Sequence, residues 1–443
     1  MGGLEKKLSS SQMIILGFAM VILFGSLLLM LPVAIRDGQE VNFVDALFTA
    51  TSAVCVTGLV VRDTATCWTG FGQAVILLLI QIGGMGVITV AVAIAVISGK
   101  KISLKQRNTM QEAISAHQVG GIVRLTSFII GTTIFLEMLG AVFMAPSFCR
   151  EFGIGRGIWY ALFHSISAFC NAGFDLMGSK SPYSSLTSFA GNWMINFTIM
   201  ALIVTGGIGF LTWEDIMTNR HRIRKYRVQS KVILSMTVLL IAIPSLYFFF
   251  FELSGYPLEE RILGSLFQSV TARTAGFNTI DFNRMSEAGL AVMILLMLVG
   301  GSPGSTAGGM KTTTFAVLLS TAISVFFHRE HTHFFGRRMD EDTVRNAVTI
   351  LMMYLVLFLG GGLIISRVER IGLLECLFET SSAVATVGLS LGLTPQLGML
   401  SRIILIFLMY IGRVGGLTLV FAALSGNRKG NTARLPQEKM TVG

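Results

Sequence analysis

Apolar residues occur along this chain in long, nearly uninterrupted runs that are separated by short polar and basic segments. A helix needs about 20 apolar residues to cross the hydrocarbon core of a bilayer, and these runs are long enough. The first run follows Lys6 and Lys7 and extends over 13–33. It is longer than the apolar core of a cleaved signal peptide, so we expect it to remain as a helix. The pattern predicts an all-α integral membrane protein.

The apolar runs form a unit that repeats four times. Each unit has a long apolar span, a shorter helix-like stretch that ends near a glycine, and a second long span. The first spans are 12–33, 121–145, 228–252 and 343–366, and the second spans are 71–98, 190–217, 288–328 and 399–425. The units are therefore 12–98, 121–217, 228–328 and 343–425, followed by a cytoplasmic tail at 426–443.

The middle stretch of each unit is too short to cross a bilayer, so we interpret it as a re-entrant pore helix. Two crossings and one re-entrant loop return the chain to its starting side, so all four units point the same way. The expected fold has eight transmembrane spans and four pore helices around a pseudo-fourfold pore. Inverted repeats would need an odd number of crossings in each unit.

Charge predicts which way the units face. The segments between units are rich in Lys and Arg, whereas the loops within units are poorer in basic residues and include acidic ones. By the positive-inside rule, both termini are cytoplasmic and the glycine loops open outward. The same rule accounts for the net charge of +10, so we expect no nucleic-acid partner. The five cysteines lack the spacing of a metal site, and no catalytic grouping indicates an enzyme.

The glycines that end the short stretches are the candidate ion-binding elements. The windows that contain them are Val56, Thr57 and Gly58; Asn171, Ala172 and Gly173; Thr274, Ala275 and Gly276; and Thr386, Val387 and Gly388. Glycine allows positive φ, so successive carbonyl groups can turn toward one axis and replace the hydration shell of a monovalent cation. The windows hold no Asp or Glu ring for divalent cations, and only Arg273 beside them is basic. Of the kinds of ion filter considered, a ring of backbone carbonyls that binds K⁺ is therefore the one that fits these windows. Close packing would explain one such glycine, but four at one period favour a filter.

The second span of the third unit is interrupted. Its polar, glycine-rich segment consists of Gly300, Gly301, Ser302, Pro303, Gly304, Ser305, Thr306, Ala307, Gly308 and Gly309. Such a sequence cannot remain helical. It resembles a phosphate-binding P-loop, but Met310 separates Gly309 from Lys311 and no strand precedes it.

Arg413 is the polar residue that we associate with this 300–309 loop. Arg413 follows Gly412. The number of residues from Gly388 to Gly412 is the same as the number from Gly276 to Gly300. We expect both at a similar depth inside the filter, where the loop is a movable gate that Arg413 holds closed. Anchoring of Arg413 to an acidic partner is the alternative, because an arginine at membrane depth needs polar surroundings.

Four other polar residues lie at membrane depth. Glu137 in the second unit and Glu379 in the fourth pore helix are expected to have buried hydrogen-bond partners. Arg273 is expected to brace the third filter rather than contact ions. His164 is expected to be packed rather than catalytic.

These motifs together resemble the Trk/Ktr/HKT superfamily of potassium transporters, and most of all the Ktr membrane subunit. The resemblance covers essentially the whole chain and implies a homodimer with one pore per subunit in a bacterial plasma membrane. It also implies an intramembrane gate, a cytoplasmic ring of nucleotide-binding regulatory subunits, and a tail that contacts the second subunit. The chain itself would carry no cofactor, with K⁺ as the transported ion and Na⁺ as a candidate activator. Some plant relatives that prefer Na⁺ have serine at the first filter position, where this chain has Gly58.

Two other functions stay open from the residues. A symporter would couple K⁺ to Na⁺ or H⁺, and proton coupling usually requires carboxylates within the membrane, for which Glu137 is the clear candidate. A structural membrane scaffold would conduct no ions, and it would leave the four matching glycine windows without an explanation.

Overall fold

The computed structural model describes residues 9–97, 104–113 and 122–415. This part of the chain is helical apart from one short β-hairpin, in which β1 (His333–Phe334) pairs with β2 (Arg337–Arg338). The α-helices, in chain order, are α1 (Ser10–Leu29), α2 (Phe43–Val54), α3 (Thr64–Cys67), α4 (Gly70–Met85), α5 (Val87–Ile97), α6 (Leu104–Ala113), α7 (Ile122–Phe152), α8 (Ile154–Phe169), α9 (Trp193–Gly207), α10 (Phe210–Asn219), α11 (Val228–Tyr247), α12 (Leu258–Thr271), α13 (Glu287–Leu298), α14 (Thr312–Phe326), α15 (Glu341–Glu369), α16 (Leu373–Val384) and α17 (Met399–Val414).

Four helical segments are long and apolar enough to cross a membrane, namely 10–29, 124–152, 228–252 and 341–369. Two bent helix pairs, α4 with α5 and α9 with α10, raise that number to six if each pair is one span. Large apolar side chains are exposed on these helices, for example Phe24 at 63% and Phe251 at 71%. Such an outer surface suits hydrocarbon rather than water. The protein is therefore an all-α, multi-pass membrane protein.

The second spans of the first two units differ from the continuous helices that we expected at 71–98 and 190–217. The axis turns by 97° between α4 and α5 and by 95° between α9 and α10. Gly86 and Gly209 lie at these turns with φ of 86° and 90°, a conformation that ends a right-handed helix. Hydropathy does not reveal the turns, because the residues on both sides are apolar. In the third unit the chain is non-helical from 299 to 311, around the 300–309 loop.

Polar residues begin three of the helices that follow the short helices of the units. Thr69, Asn192 and Ser286 are the N-cap residues of α4, α9 and α13, and each side chain accepts a hydrogen bond from a backbone N–H of the first turn. Ser9 forms a capping box with Gln12 at the start of α1.

The four short helices α2, α8, α12 and α16 lie inside the molecule. Each packs against the long helix that precedes it and against the first helix of the second span of the neighbouring unit. The contacts between units are α4 with α8, α9 with α12, α13 with α16 and α17 with α2, so the last unit packs on the first. This cyclic packing brings the ends of all four short helices to the centre of the molecule.

Candidate functional site

The backbone after each short helix adopts the same unusual conformation. Four residues that are not glycine have left-handed φ values two positions before a glycine, namely Val56 (56°), Asn171 (58°), Thr274 (67°) and Thr386 (52°). The glycines also have positive φ: Gly58 (92°), Gly173 (68°), Gly276 (80°) and Gly388 (93°). The residue between them has ordinary φ, so the handedness alternates along each loop. Alternation turns successive carbonyl groups to one side, whereas in a regular strand they point to opposite sides.

Hydroxyl side chains within the short helices hold the loops in this conformation. Ser52 and Ser382 accept hydrogen bonds from the N–H groups of Gly58 (3.1 Å) and Gly388 (3.0 Å). In the other two units the hydroxyl group donates to a backbone carbonyl beyond the glycine, from Ser167 to Phe174 (2.7 Å) and from Thr271 to Phe277 (2.5 Å).

The segment that leads to the third window is one residue shorter than in the other units, and these hydroxyl residues show where the residue is missing. Ser52, Ser167 and Ser382 precede their glycines by six positions, whereas Thr271 precedes Gly276 by five. The deletion therefore lies at the end of α12, and the left-handed Thr274 and Gly276 keep the same register as the other loops.

The four loops form a closed ring, which we call the glycine ring (56–58, 171–173, 274–276 and 386–388). A Cβ atom built on Gly58 would lie 2.5 Å from the carbonyl oxygen of Ala172, and one on Gly173 would lie 2.8 Å from that of Ala275. One on Gly276 would lie 2.6 Å from that of Val387. One on Gly388 would lie 2.0 Å from that of Thr57, which closes the ring. Each position lacks room for a side chain because the next loop's carbonyl group is there.

Three buried threonine hydroxyls beside these carbonyls have no hydrogen-bond partner in the described residues, those of Thr57, Thr274 and Thr386. Buried polar oxygens without partners are rare in folded proteins, and they suit a site that a polar or cationic group occupies. The side chain of Asn171 is different, because with its amide turned by 180° the nitrogen donates to the carbonyls of Ala168 (3.0 Å) and Ile203 (3.3 Å).

The 300–309 loop lies directly against the glycine ring. A Cβ atom built on Gly308 would lie 2.0 Å from the hydroxyl of Thr386, and one built on Gly309 would lie 2.8 Å from the carbonyl oxygen of Ala385. The loop also bonds to the second unit: Ser302 N–H donates to Gly207 O (2.9 Å), and the Thr306 hydroxyl donates to Phe169 O (2.9 Å). The loop is thus held between the third, second and fourth units.

Two basic side chains hold the carbonyl groups of this loop. The Arg413 guanidinium donates to the carbonyls of Thr306 and Gly83 and, at 3.2 Å, to that of Gly84. The Lys311 ammonium donates to Ala307 O (2.8 Å). Among the described residues the Arg413 hydrogen bonds go to carbonyl oxygens, so the alternative of an acidic anchor finds no such contact there. The sequence did not single out Lys311 as a functional residue.

Two cavities lie on either side of these elements. One cavity, which we call the outer cavity because it lies on the side of the ring away from the 300–309 loop, has a volume of about 330 Å³. It is lined by all four ring glycines and by Asp175. The inner cavity has a volume of about 230 Å³ and is lined by the 300–309 loop, Lys311 and Arg413 together with Gly86 and Gly415 at helix ends. The ring and the loop are the elements that separate the two cavities.

Charged groups outside the ring stabilise its surroundings. Asp45, fully buried in α2, forms ion pairs with Arg62 (2.9 Å) and with Arg402 of α17 (2.6 Å), which joins the first and fourth units. Glu379 accepts hydrogen bonds from Ser390 (2.5 Å), Thr394 (2.6 Å) and the N–H of Leu391 (3.2 Å). The Asp45 cluster could not be predicted from the sequence, since its three residues are far apart in the chain.

The remaining membrane-depth residues have contrasting surroundings. Glu137 accepts a hydrogen bond from Gln81 (3.2 Å), and the buried ring of His164 contacts Tyr160 O (2.7 Å) and Leu176 N–H (3.3 Å). Both therefore have the partners expected of packed polar groups. Arg273 is only 5% exposed, and its Nε is buried without a hydrogen-bond partner among the described residues. The proposed brace at Arg273 has no contact to support it.

A helical membrane protein with a ring of backbone carbonyls at its centre, between two cavities, belongs structurally to the class of cation transporters. The chain matches the family model of TrkH, described as a cation transport protein, over residues 9–430, and it belongs to this family. The expected resemblance to the Trk/Ktr proteins is therefore confirmed. The members of this family are described as cation transport proteins and not as enzymes, as expected.

Named relatives extend over nearly the whole chain. The potassium/sodium uptake protein NtpJ of Enterococcus hirae is 41% identical, with 99% of this chain and 98% of the relative covered. The Ktr system potassium uptake protein B of Bacillus subtilis is 39% identical, with 93% and 92% covered. The crystal structure of the potassium transporter TrkH from Vibrio parahaemolyticus matches with a TM-score of 0.70 at 21% identity, covering 91% of this chain and 84% of that one, which supports the fold.

Proposed function

We propose that this protein takes up potassium through a channel-like pore in the cell membrane, with the glycine ring as its selectivity filter. The closed ring of four loops carries the proposal. Left-handed residues alternate with an ordinary residue in each loop, and this backbone would direct carbonyl groups to one axis without acidic side chains. Such carbonyls replace the hydration shell of a monovalent cation. Two relatives that are about 40% identical favour K⁺ as an ion that is taken up, since one is named a potassium uptake protein and the other a potassium/sodium uptake protein.

In this proposal the chain has eight spans and four pore helices, with both termini in the cytoplasm and the outer cavity facing outward. The units are the four that the sequence predicts, and their cyclic packing supports a pseudo-fourfold axis. The 300–309 loop is the intramembrane gate. It lies against the ring on one side and lines the inner cavity on the other, and Arg413 holds it to α4 of the first unit.

Partners follow from the same proposal. The chain forms a homodimer in which residues 426–443, outside the described residues, contact the second subunit. A cytoplasmic ring of nucleotide-binding subunits controls the gate. Exposed basic residues between α14 and α15, including Arg337 and Arg338 of the hairpin, provide one surface for it. Sodium is a candidate activator.

A symporter coupled to Na⁺ or H⁺ is the alternative. Glu137 is its candidate coupling residue, but it is 3% exposed and is not among the described residues that line the two cavities. A coupled symporter moves charge in a constant ratio to K⁺, whereas a channel-like pore follows the electrochemical gradient of K⁺ alone. Reversal potentials measured across imposed Na⁺ and H⁺ gradients would distinguish the two.

The filter is tested by Gly58→Ser. A Cβ at this position would meet the carbonyl of Ala172 at 2.5 Å on backbone with φ of 92°, so the ring must distort. We expect the preference for K⁺ over Na⁺ to fall about tenfold, equivalent to about 1.4 kcal/mol. The measurement is uptake of both ions by the purified protein in liposomes.

Gly38→Ser is the matched control. Gly38 also has positive φ, 81°, but no atom lies within 4 Å of its Cβ position, so ion preference should not change. Unaltered discrimination in the Gly58→Ser protein would contradict the filter assignment.

A further inference from the structure

The carboxylates around the outer side of the glycine ring differ in how well they are compensated. Asp45 has two arginine partners, and Glu379 has three hydrogen-bond donors. Asp63 accepts hydrogen bonds from the N–H groups of Ala65, Thr66 and Tyr183 and from the Thr66 hydroxyl. Asp175 has one donor among the described residues, the N–H of Met177 at 2.8 Å, and no basic partner there. A half-buried carboxylate with so few partners is poorly compensated.

Asp175 lies where a cation would pass before reaching the ring. It follows Gly173 by two residues and lines the outer cavity together with all four ring glycines. It is the one charged side chain among the described residues that line this cavity. The neutral polar side chains there are Tyr183, Ser185, Asn278, Ser390 and Gln396.

We propose that Asp175 and the neutral polar groups of the outer cavity form an external binding site for a monovalent cation, from which the ion enters the glycine ring. One carboxylate among hydroxyl and amide groups suits a weakly held monovalent ion. Tight Ca²⁺ sites use several carboxylates, and Mg²⁺ needs a strict octahedral set. This inference rests on the proposed uptake of K⁺, and it adds a site that lies outside the filter.

The electrostatics of the cavity favour this occupant. Burial, with a further contribution from the nearby Asp63 carboxylate, raises the pKa of Asp175 to about 7. The negative form is therefore destabilised in the absence of a cationic partner, and a bound cation would supply that partner. In its ionised form, a carboxylate in a narrow entrance also raises the local concentration of cations.

Asp175→Asn tests the site with little change in shape, because the asparagine oxygen can still accept the hydrogen bond from Met177. Initial rates of rubidium uptake would be measured over a range of external concentrations, in cells without other potassium uptake systems. We expect the half-saturating concentration to rise about three- to tenfold, as for loss of one entrance charge. The maximal rate and the preference for K⁺ over Na⁺ should remain. Asp175→Glu, which restores the charge, should recover most of the loss.

Asp37→Asn is the matched control, since Asp37 is exposed in the loop after α1 and does not line the outer cavity. An equal shift in this variant would overturn the proposal in favour of general surface charge. An unchanged half-saturating concentration in Asp175→Asn would also overturn it. A shift that Asp175→Glu fails to reverse, together with a lowered melting temperature of the Asp175→Asn protein, would overturn it as well, because the shift would then reflect damage to the fold. If the unaltered protein takes up no rubidium or K⁺, the proposed function itself fails, which is a different result.

Discussion

At the scale of single residues, the glycine ring depends on non-glycine residues in an unfavourable backbone conformation. Val56, Asn171, Thr274 and Thr386 are left-handed. This conformation costs roughly 1–2 kcal/mol for an ordinary residue, and β-branched residues such as Val56 tolerate it least. The hydrogen bonds of Ser52 and Ser382 to the glycine N–H groups offset part of this cost. Strain of this kind persists where the surrounding structure imposes it, often at functional sites.

Arg273, which is buried, and Arg402, which is partly buried, should respond in opposite ways to one substitution. The Nε of Arg273 has no hydrogen-bond partner among the described residues, whereas Arg402 donates to Asp45 (2.6 Å) and to Pro395 O (3.0 Å). Arg273→Met removes a buried charge that lacks partners, so we expect the melting temperature to stay the same or rise. Arg402→Met leaves Asp45 with Arg62 alone, and we expect a loss of about 3 kcal/mol.

Thermal unfolding of both variants in the same detergent would check this pair. Loss of stability in Arg273→Met comparable to that in Arg402→Met would contradict our description of Arg273 and would restore the idea that it braces the filter.

At the scale of elements, glycines determine where the second helix of each unit ends. Gly86, Gly209 and Gly415 follow α4, α9 and α17 with φ of 86°, 90° and 88°. In the third unit the same region becomes the 300–309 loop, which contacts the ring and α9. This loop has no helical hydrogen bonds of its own, so its position depends on Arg413, Lys311 and the second unit. An element held by separate hydrogen bonds to other segments can move more readily than a helix, whose hydrogen bonds form one continuous ladder.

Removal of Arg413 should free the loop. Arg413→Ala deletes the hydrogen bonds to Thr306 and Gly83 and a positive charge beside the inner cavity. We expect basal K⁺ flux without the regulatory partner to rise about tenfold or more, corresponding to at least ~1.4 kcal/mol of lost closure. Flux into liposomes from the purified protein would measure it.

Arg413→Lys separates charge from bridging. Lysine keeps the positive charge but has a single ammonium, which does not reproduce the planar guanidinium fork between Thr306 and Gly83. An increase in flux in both variants indicates that bridging closes the loop, and an increase in Arg413→Ala alone indicates repulsion of cations. Unchanged flux in both would remove the gating role.

At the scale of the whole molecule, the units are closed into a cycle by contacts between the two ends of the chain. Arg402 bonds to Asp45, the Tyr410 hydroxyl donates to Ile15 O (2.7 Å), and Gly388 lies against Thr57. Each joins the fourth unit to the first across more than 300 residues of sequence. The ring therefore exists only when the whole chain is folded, and a single unit would lack the neighbouring carbonyl groups.

The proposed dimer is a prediction at this scale. Deletion of residues 426–443 should convert a detergent-solubilised dimer into a monomer, while each subunit keeps its cyclic packing and therefore its melting temperature within a few degrees. Light scattering with correction for detergent would give the mass. A truncated protein that remains dimeric would place the subunit contact elsewhere.

Much of the candidate site could be predicted because it is encoded locally. The glycines, the short apolar stretches and the glycine-rich interruption are continuous in sequence, and the position of Arg413 follows from a shared offset. The turns at Gly86 and Gly209 could not be predicted, because apolar residues lie on both sides and glycine within a membrane helix also serves packing. Asp175 was missed because it belongs to no motif, and Lys311 was missed because the P-loop that it resembles does not fit the surrounding sequence.

The class of protein, the unit that repeats and the residues of the four windows can all be read from the amino-acid sequence. These depend on hydropathy, period and the backbone freedom of glycine, which are local properties. The closure of the windows into one ring, the hydrogen bonds of Arg413 to loop carbonyls rather than to an acidic group, and the place of Asp175 in the outer cavity become visible only in the folded molecule. Those features depend on which groups from distant segments meet, because compensation of a buried charge is a property of its surroundings and not of its residue type.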